Sequence, residues 1–370
     1  MQILVVGASV RAAAGSLIRA ECRPVAADLF NDADLAAVAP CVRLDRDRYP
    51  GGIAKQVAHL APLPWLYTGA IENHPDVVAA IARRSRLLGN GPEVLRAVRD
   101  PLRLAGAIRA AGLDAPAVAA DPAGVPTDGS WLAKPRRSGG GEGIRPWLGV
   151  ADEAAGPLVF QERVAGRSCS ATFLAGPGGV EFVGATRQSH GRRGHPFAYR
   201  GSLGPWRFAP AVAATVEALG RVVGEAFGLV GLFGVDLIVA GDRAWPIEVN
   251  PRYTASVEIL EQALRRPLLA DHLRACGVEP PPAAPIPPTS PFVAREILYA
   301  RNSCRFGGAA GPTVSTSLAP EVADIPPPGT EFATGEPILT VFGRGATPAG
   351  CRRDLARRVR RWEGRLRLAW

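Results

Sequence analysis

Two strand-like segments near residue 240 constrain this chain more than any other feature. Gly234-Val235-Asp236-Leu237-Ile238-Val239 and Ile247-Glu248-Val249-Asn250-Pro251-Arg252 both read as strands, with Asp236 twelve residues before Glu248. Side chains alternate across a strand, so Glu248 and Asn250 share one face, and Arg252 falls on it as well. Two oxygen-bearing side chains on one face, joined by the Asp236 carboxylate from a neighbouring strand, make a hard-oxygen set suited to Mg²⁺. Arg252 can reach an anion held by such a metal. The pattern predicts chemistry on a phosphoryl group.

Bulk properties place the chain among soluble globular proteins. Its 370 residues allow two or three domains, and 47% hydrophobic with 21% charged residues is ordinary. The net charge of +9 comes from 41 Arg against only 2 Lys. That balance reads as a codon-composition bias rather than a nucleic-acid footprint, since no aromatic platform or reader motif accompanies it. The eight Arg of Cys351–Trp370 fit a solvated amphipathic helix. Six scattered cysteines include no C-x-x-C pair, so neither a zinc site nor a disulfide framework is expected. There is no run of eighteen apolar residues and no basic leader before Ile3–Val6. The expectation is a cytoplasmic protein with no membrane and no nucleic-acid partner.

The opening run Ile3–Val6, a helix near Ala12–Ala20, a strand at Val25–Ala27 and another at Trp65–Gly69 predict a parallel, doubly wound α/β unit over residues 1–94. Gly7-Ala8-Ser9-Val10-Arg11 lacks the full dinucleotide fingerprint, which speaks against NAD and assigns Gly7 to a strand-to-helix turn. Residues 95–278 then read as α+β. A helical stretch Val94–Gly112 is interrupted at Asp100-Pro101, and strands follow at Trp131–Lys134, Leu158–Gln161, Ser168–Leu174 and Val180–Thr186. A Pro-rich stretch at 279–291 reads as a linker. Residues 292–370 read as a small β-rich piece ending in the Arg-rich helix.

Lys134 stands out because Lys is so rare here. A compact point charge on a slim stem does what a planar guanidinium cannot. It ends a strand and is followed by Ser138-Gly139-Gly140-Gly141-Glu142-Gly143. Consecutive glycines let backbone N–H groups wrap a polyphosphate, although a plain flexible turn has the same composition.

The ordered set of Lys134-Pro135, Gly139–Gly143, Gln161-Glu162-Arg163-Val164-Ala165-Gly166, Asp236 and Glu248-Val249-Asn250-Pro251-Arg252 resembles the ATP-grasp superfamily from about Asp100 to Gly277. The resemblance implies a Rossmann-like domain before the grasp fold and ATP held between two α+β subdomains. Lys134 would contact the phosphates under the loop Gly139, Gly140 and Gly141. Glu162, Arg163 and Val164 would form the adenine-facing hinge, with Gln161 among the nucleotide-binding residues. Asp236, Glu248 and Asn250 would hold Mg²⁺, or Mn²⁺ in its place, and Arg252 would bind the transferring or acceptor group. Two departures stand out. The superfamily's usual first Lys is absent from Arg99-Asp100-Pro101-Leu102-Arg103, where Arg103 would substitute, and Ser168 occupies the neighbourhood of the usual ribose-binding acid.

A narrower similarity rests on Thr68-Gly69-Ala70-Ile71-Glu72-Asn73-His74-Pro75, Gly184–Gln188, Tyr199–Pro205 and Ala323-Asp324-Ile325-Pro326. These segments resemble ATP-grasp proteins linked to tetrahydromethanopterin one-carbon metabolism, related to the tyramine–glutamate ligases of methanofuran synthesis. Arg187, Gln188 and His190 lie where a strand would face the cleft, and either hold a substrate carboxylate or sit in an exposed loop. His190 and His195 flank a Gly/Arg-rich loop that reads as a lid. Asn73 either caps the following helix or works with Glu72 on the substrate side. Cys169 reads as buried and unreactive.

The resulting expectation is a carboxylate–amine ligase that activates an acid as its acyl phosphate. Its partners would be a small acid and a small amine, with a homodimer as the oligomeric expectation. A biotin-carboxylase-like reaction and a regulatory nucleotide-binding protein are the alternatives.

Overall fold

The computed structural model describes residues 1–150, 156–282, 290–307 and 320–368. Residues 283–289 of the expected linker lie outside them. The chain starts with a parallel sheet of β1 (Gln2–Gly7), β2 (Arg23–Asp28), β3 (Cys41–Arg43) and β4 (Trp65–Tyr67), in the order β3-β2-β1-β4. The helices α1 (Arg11–Arg19), α2 (Ala33–Ala36) and α3 (Ile53–Gln56) make the crossovers, and α4 (Pro75–Ala82) follows β4. Ile3 and Val5 pack against Ala13 and Leu17 on one face, while Leu4 and Val6 pack against Ile53 and Val78 on the other. Both faces being covered explains why β1 is an unbroken apolar run. Gly7 answers to a close approach: a Cβ there would sit 2.0 Å from the Thr68 hydroxyl.

Helices α5 (Pro92–Val98) and α6 (Pro101–Ala110) are separated at Asp100, whose carboxylate accepts from the N–H groups of Leu102 and Arg103 at 2.9 and 3.2 Å. An antiparallel sheet of β5 (Val118–Ala119), β6 (Trp131–Pro135), β7 (Arg145–Pro146) and β8 (Leu158–Glu162) follows, ordered β5-β8-β6-β7. Its own small core is Val125, Ala133, Trp147 and Phe160.

The third layer is one long sheet. Its first strands are β9 (Arg167–Gly176), β10 (Gly179–Arg192), β11 (His195–Gly204), β12 (Gly231–Ala240) and β13 (Arg243–Asn250), with α7 (Pro210–Phe227) between β11 and β12. Helices α8 (Ala255–Leu264) and α9 (Leu268–Ala275) come next, then β14 (Phe292–Tyr299), β15 (Cys304–Arg305), β16 (Val322–Ala323), β17 (Glu331–Phe332), β18 (Pro337–Gly345) and α10 (Pro348–Leu368). The order β13-β12-β9-β10-β11-β14-β18-β16 carries the C-terminal strands on the same sheet as β9 to β13. Strands β14, β18 and β16 therefore extend that sheet through the β11–β14 ladder, and among the described residues only β15 and β17 pair apart from it. Cys169, Ala171, Phe173, Val235, Leu237 and Val249 pack on α6 and α7. Alternation then turns Ser170, Asp236, Glu248 and Asn250 to the opposite, open face.

The N-terminal unit is not set apart from this layer. Its α1 face shares one core with Val257 and Leu260 of α8 and Leu268, Leu269 and Leu273 of α9. At the seam the Asn90 amide donates to the carbonyls of Val230 and Pro251 at 3.1 and 3.0 Å, and its oxygen accepts from Val230 N at 2.9 Å. Asn90 thereby ties the first unit to the start of β12 and the end of β13.

Candidate active site

A cleft of about 900 Å³ opens between the small antiparallel sheet and the long one. The register places Asp236 directly opposite Glu248, and Gly234 opposite Asn250. The Asp236 carboxylate accepts from Gln188 Nε2 at 3.1 Å and from Asn250 Nδ2 at 3.0 Å. Burial and the neighbouring Glu248 charge push Asp236 up to about 6. Glu248 goes the other way: burial is outweighed by Arg99, which hydrogen-bonds it, and by Lys134, so its pKa falls below the ordinary value. Two partly buried carboxylates side by side are the arrangement a divalent cation relieves. Among the described residues no group of three or more His, Cys, Asp or Glu is arranged to hold a metal ion by itself. The donor set is thus two carboxylates and an amide, which fits a hard cation sharing its coordination with phosphate oxygens.

Lys134 reaches Gln161 Oε1 at 3.0 Å and the Ile247 carbonyl at 3.4 Å, with its ammonium pKa lowered by burial. The glycine loop turns over it with Gly140, Gly141 and Gly143 at φ of +62°, +77° and +71°. At Gly141 a Cβ would lie 2.0 Å from the Phe197 carbonyl, so no other residue fits. Tyr199 N donates to the Gly140 carbonyl at 2.7 Å, and Arg192 holds Glu142 at 2.8 and 2.9 Å. His195 adds a contact to Glu142 at 3.2 Å, which places the Gly/Arg-rich hairpin on top of the loop.

Gln161 and the hinge residues Glu162, Arg163 and Val164 line the cleft wall. The Glu162 side chain itself is engaged with Ala117 N at 3.0 Å, and the Arg163 guanidinium lies over the Phe197 ring at 6.0 Å. At the other end Arg252 donates to Glu72 at 2.5 Å and to Asn250 Oδ1 at 3.1 Å. Gln188 and His190 line the cleft beside Tyr199 and Ser256. His190 stands edge-on to Tyr199, and desolvation lowers its pKa.

Three sequence expectations need correction. Arg103 is an exposed residue of α6 outside the cleft, because the Asp100 cap and the buried Leu104, Ala105 and Ile108 set that helix's inward face. Arg99, at the corner between α5 and α6, is the arginine that points inward, bonded to Glu248 and to the Val249 carbonyl at 3.1 Å. Arg187 does not enter the cleft; strand alternation turns it to the opposite face, where it lies 5.5 Å from the centre of the Trp206 ring. Asn73 is not a helix cap, since α4 is preceded by His74 and has no side-chain cap. The break at Asp100-Pro101 was the signal for Arg99: a residue at a helix corner projects away from both helix axes.

The geometry has a counterpart in known proteins. A model described as an ATP-grasp domain matches residues 98–256. Over 195 residues the chain is 26% identical to an uncharacterized protein of Methanocaldococcus jannaschii, covering 53% of this chain and 44% of that one. It is 38% identical over 87 residues to the formate-dependent phosphoribosylglycinamide formyltransferase of Pseudomonas savastanoi pv. phaseolicola (strain 1448A / Race 6), 23% of this chain and 22% of the relative. The chain thus matches less than half the length of these relatives. The crystal structure of carboxyaminoimidazole ribonucleotide synthase from Aspergillus clavatus, complexed with ATP, superposes over 98% of both chains with a TM-score of 0.71 at 16% identity. That likeness shows the fold: a mixed α/β protein of ATP-grasp architecture.

Proposed function

We propose that the protein is an ATP- and Mg²⁺-dependent ligase that joins a carboxylate to an amine through an acyl phosphate. The observation that carries this reading is the convergence of Asp236, Glu248, Asn250, Lys134 and Arg252 on one cleft roofed by the glycine loop, with Arg99 lining the pocket that adjoins it at Lys134 and Glu248. Arg99 and Lys134 supply positive charge for the nucleotide phosphates, and Gly140 and Gly141 bring backbone against them. Asp236, Glu248 and Asn250 would hold Mg²⁺, which when bound neutralises phosphate charge. Arg252 sits at the far end, near the start of α8, to bind the acid being activated.

In the reaction the carboxylate oxygen attacks the γ-phosphorus of ATP, and the bond to the bridging oxygen breaks to release ADP. The amine nitrogen then attacks the acyl carbon, phosphate leaves and a proton is lost from nitrogen. The chain's main work is in-line positioning and charge neutralisation. His190, its pKa lowered by burial, lines the same end of the cleft and is placed among the substrate contacts with Gln188. The finer reading is biosynthesis of a one-carbon carrier, with the amine and acid of methanofuran-type synthesis as first substrates to try. It is supported by the Thr68–Pro75 and Tyr199–Pro205 segments, both of which border the site. The deciding experiment incubates purified protein with MgATP and pools of acids and amines. Acid- and amine-dependent ADP release with an amide detected by mass spectrometry is expected. Bicarbonate-dependent release alone would instead indicate a carboxylase.

A further inference from the structure

We infer that Asn73, contributed by the N-terminal α/β unit, is a positioning residue that latches the root of the glycine loop and aims Arg99 into the cleft. This rests on the proposed reading that the loop and Arg99 serve nucleotide phosphates. Asn73 ends a short 3₁₀ turn, Ile71–Asn73, and is 8% exposed. Its Nδ2 donates to the Ser138 carbonyl at 3.2 Å, and its Oδ1 accepts from Arg99 Nη2 at 2.8 Å. Arg99 Nη2 also reaches the Ser138 carbonyl at 3.2 Å, while Nη1 is the nitrogen on Glu248 and the Val249 carbonyl.

The division of labour between the two guanidinium nitrogens matters. A triphosphate competing for Arg99 must draw Nη1 away from Glu248, and Glu248 is then free to serve the metal. Asn73 keeps hold of Nη2 throughout, so the guanidinium pivots rather than withdraws. The same amide fixes Ser138, whose carbonyl Arg99 Nη2 also holds, so breaking the Asn73 bond loosens the root of the loop. A primary amide of this length offers the donor and the acceptor together, which a carboxylate cannot.

The test compares Asn73→Ala and Asn73→Asp with the native protein. Asp keeps an acceptor for Arg99 and loses the donor to Ser138; it is nearly isosteric and carries the test if the Ala variant does not fold. MgADP affinity is measured by titration calorimetry, and loop opening by the rate of tryptic cleavage after Arg137, with the products identified by mass spectrometry. Both variants are expected to cut there at least about fivefold faster, and Asn73→Ala to bind MgADP roughly tenfold more weakly, with unchanged circular dichroism. Native cleavage and affinity in both variants, or native cleavage in Asn73→Asp alone, would overturn the latch. Failure of the native protein to bind MgADP would overturn the ligase reading instead.

Discussion

Glu72 and Arg252 stand 180 residues apart in sequence and share a 2.5 Å ion pair, the carboxylate fully buried and the guanidinium 14% exposed. Glu72 lies in the N-terminal unit, so the residue facing the acceptor end of the cleft is held by a different part of the chain from the strand that carries it. Glu72 Oε2 and Arg252 Nε have no partner among the described residues.

Removing one half of this pair leaves the other charge buried alone. Glu72→Ala is expected to destabilise the fold by about 3 kcal/mol and to lower turnover through misplacement of Arg252. Denaturant unfolding reads the first effect. A loss within ~0.5 kcal/mol of zero, the range of ordinary surface substitutions, would mean that the pair contributes no stability.

Glu248→Gln keeps the shape of the side chain and removes the charge that faces both Arg99 and the cation site. Turnover should fall by roughly two to three orders of magnitude, the loss typical of a transition-state electrostatic partner, while circular dichroism stays native. Retained activity would remove Glu248 from the metal set.

Arg99 and Arg103 give opposite expectations although they are four residues apart. Arg99→Ala should weaken ADP binding about tenfold or more, as a lost charge-assisted contact does. Arg103→Ala should bind as the native protein does, because that side chain is exposed and outside the cleft. Calorimetric titration of both variants checks the assignment; equal losses would contradict it.

Asp28 ends β2 and accepts from the N–H groups of Val10, Phe30 and Asn31, each at 2.7 Å. Burial nevertheless raises it from the ordinary 3.8 to about 6. A carboxyl raised in the folded state contributes fully below about pH 4 and loses that contribution as pH rises through about 6. The loss is of order 3 kcal/mol at most. Asp28→Asn should lack it, so the difference in unfolding free energy between variant and native protein should shift in the variant's favour from pH 4 to pH 7. Parallel profiles would show that Asp28 titrates in the fold as it does in the unfolded chain, with no upward shift.

Much of the site could be read from the residues because its rules are local. Alternation along a strand put Glu248 and Asn250 on one face; consecutive glycines after Lys134 marked a loop that admits close backbone; Asp100-Pro101 marked a helix start. The buried ion pairs lay beyond such reading. Arg11 meets Glu258 and Asp324, and Arg295 meets both as well, so the Ala323–Pro326 segment is held to α1 and α8 by charges more than 200 residues apart in places. Alternation also could not tell which face of β10 was open, and that choice moved Arg187 onto Trp206 and left Gln188 in the cleft.

Sequence alone determined the parallel α/β start, the strand partners Asp236 and Glu248, and the glycine loop, since each follows from backbone sterics and periodicity within a few residues. Tertiary structure decided that Arg99 rather than Arg103 meets Glu248, that Glu72 meets Arg252 and Asn73 meets Arg99, and that β14, β18 and β16 lengthen the long sheet. Those outcomes depend on which buried groups find partners when distant segments pack, and no local pattern encodes that pairing.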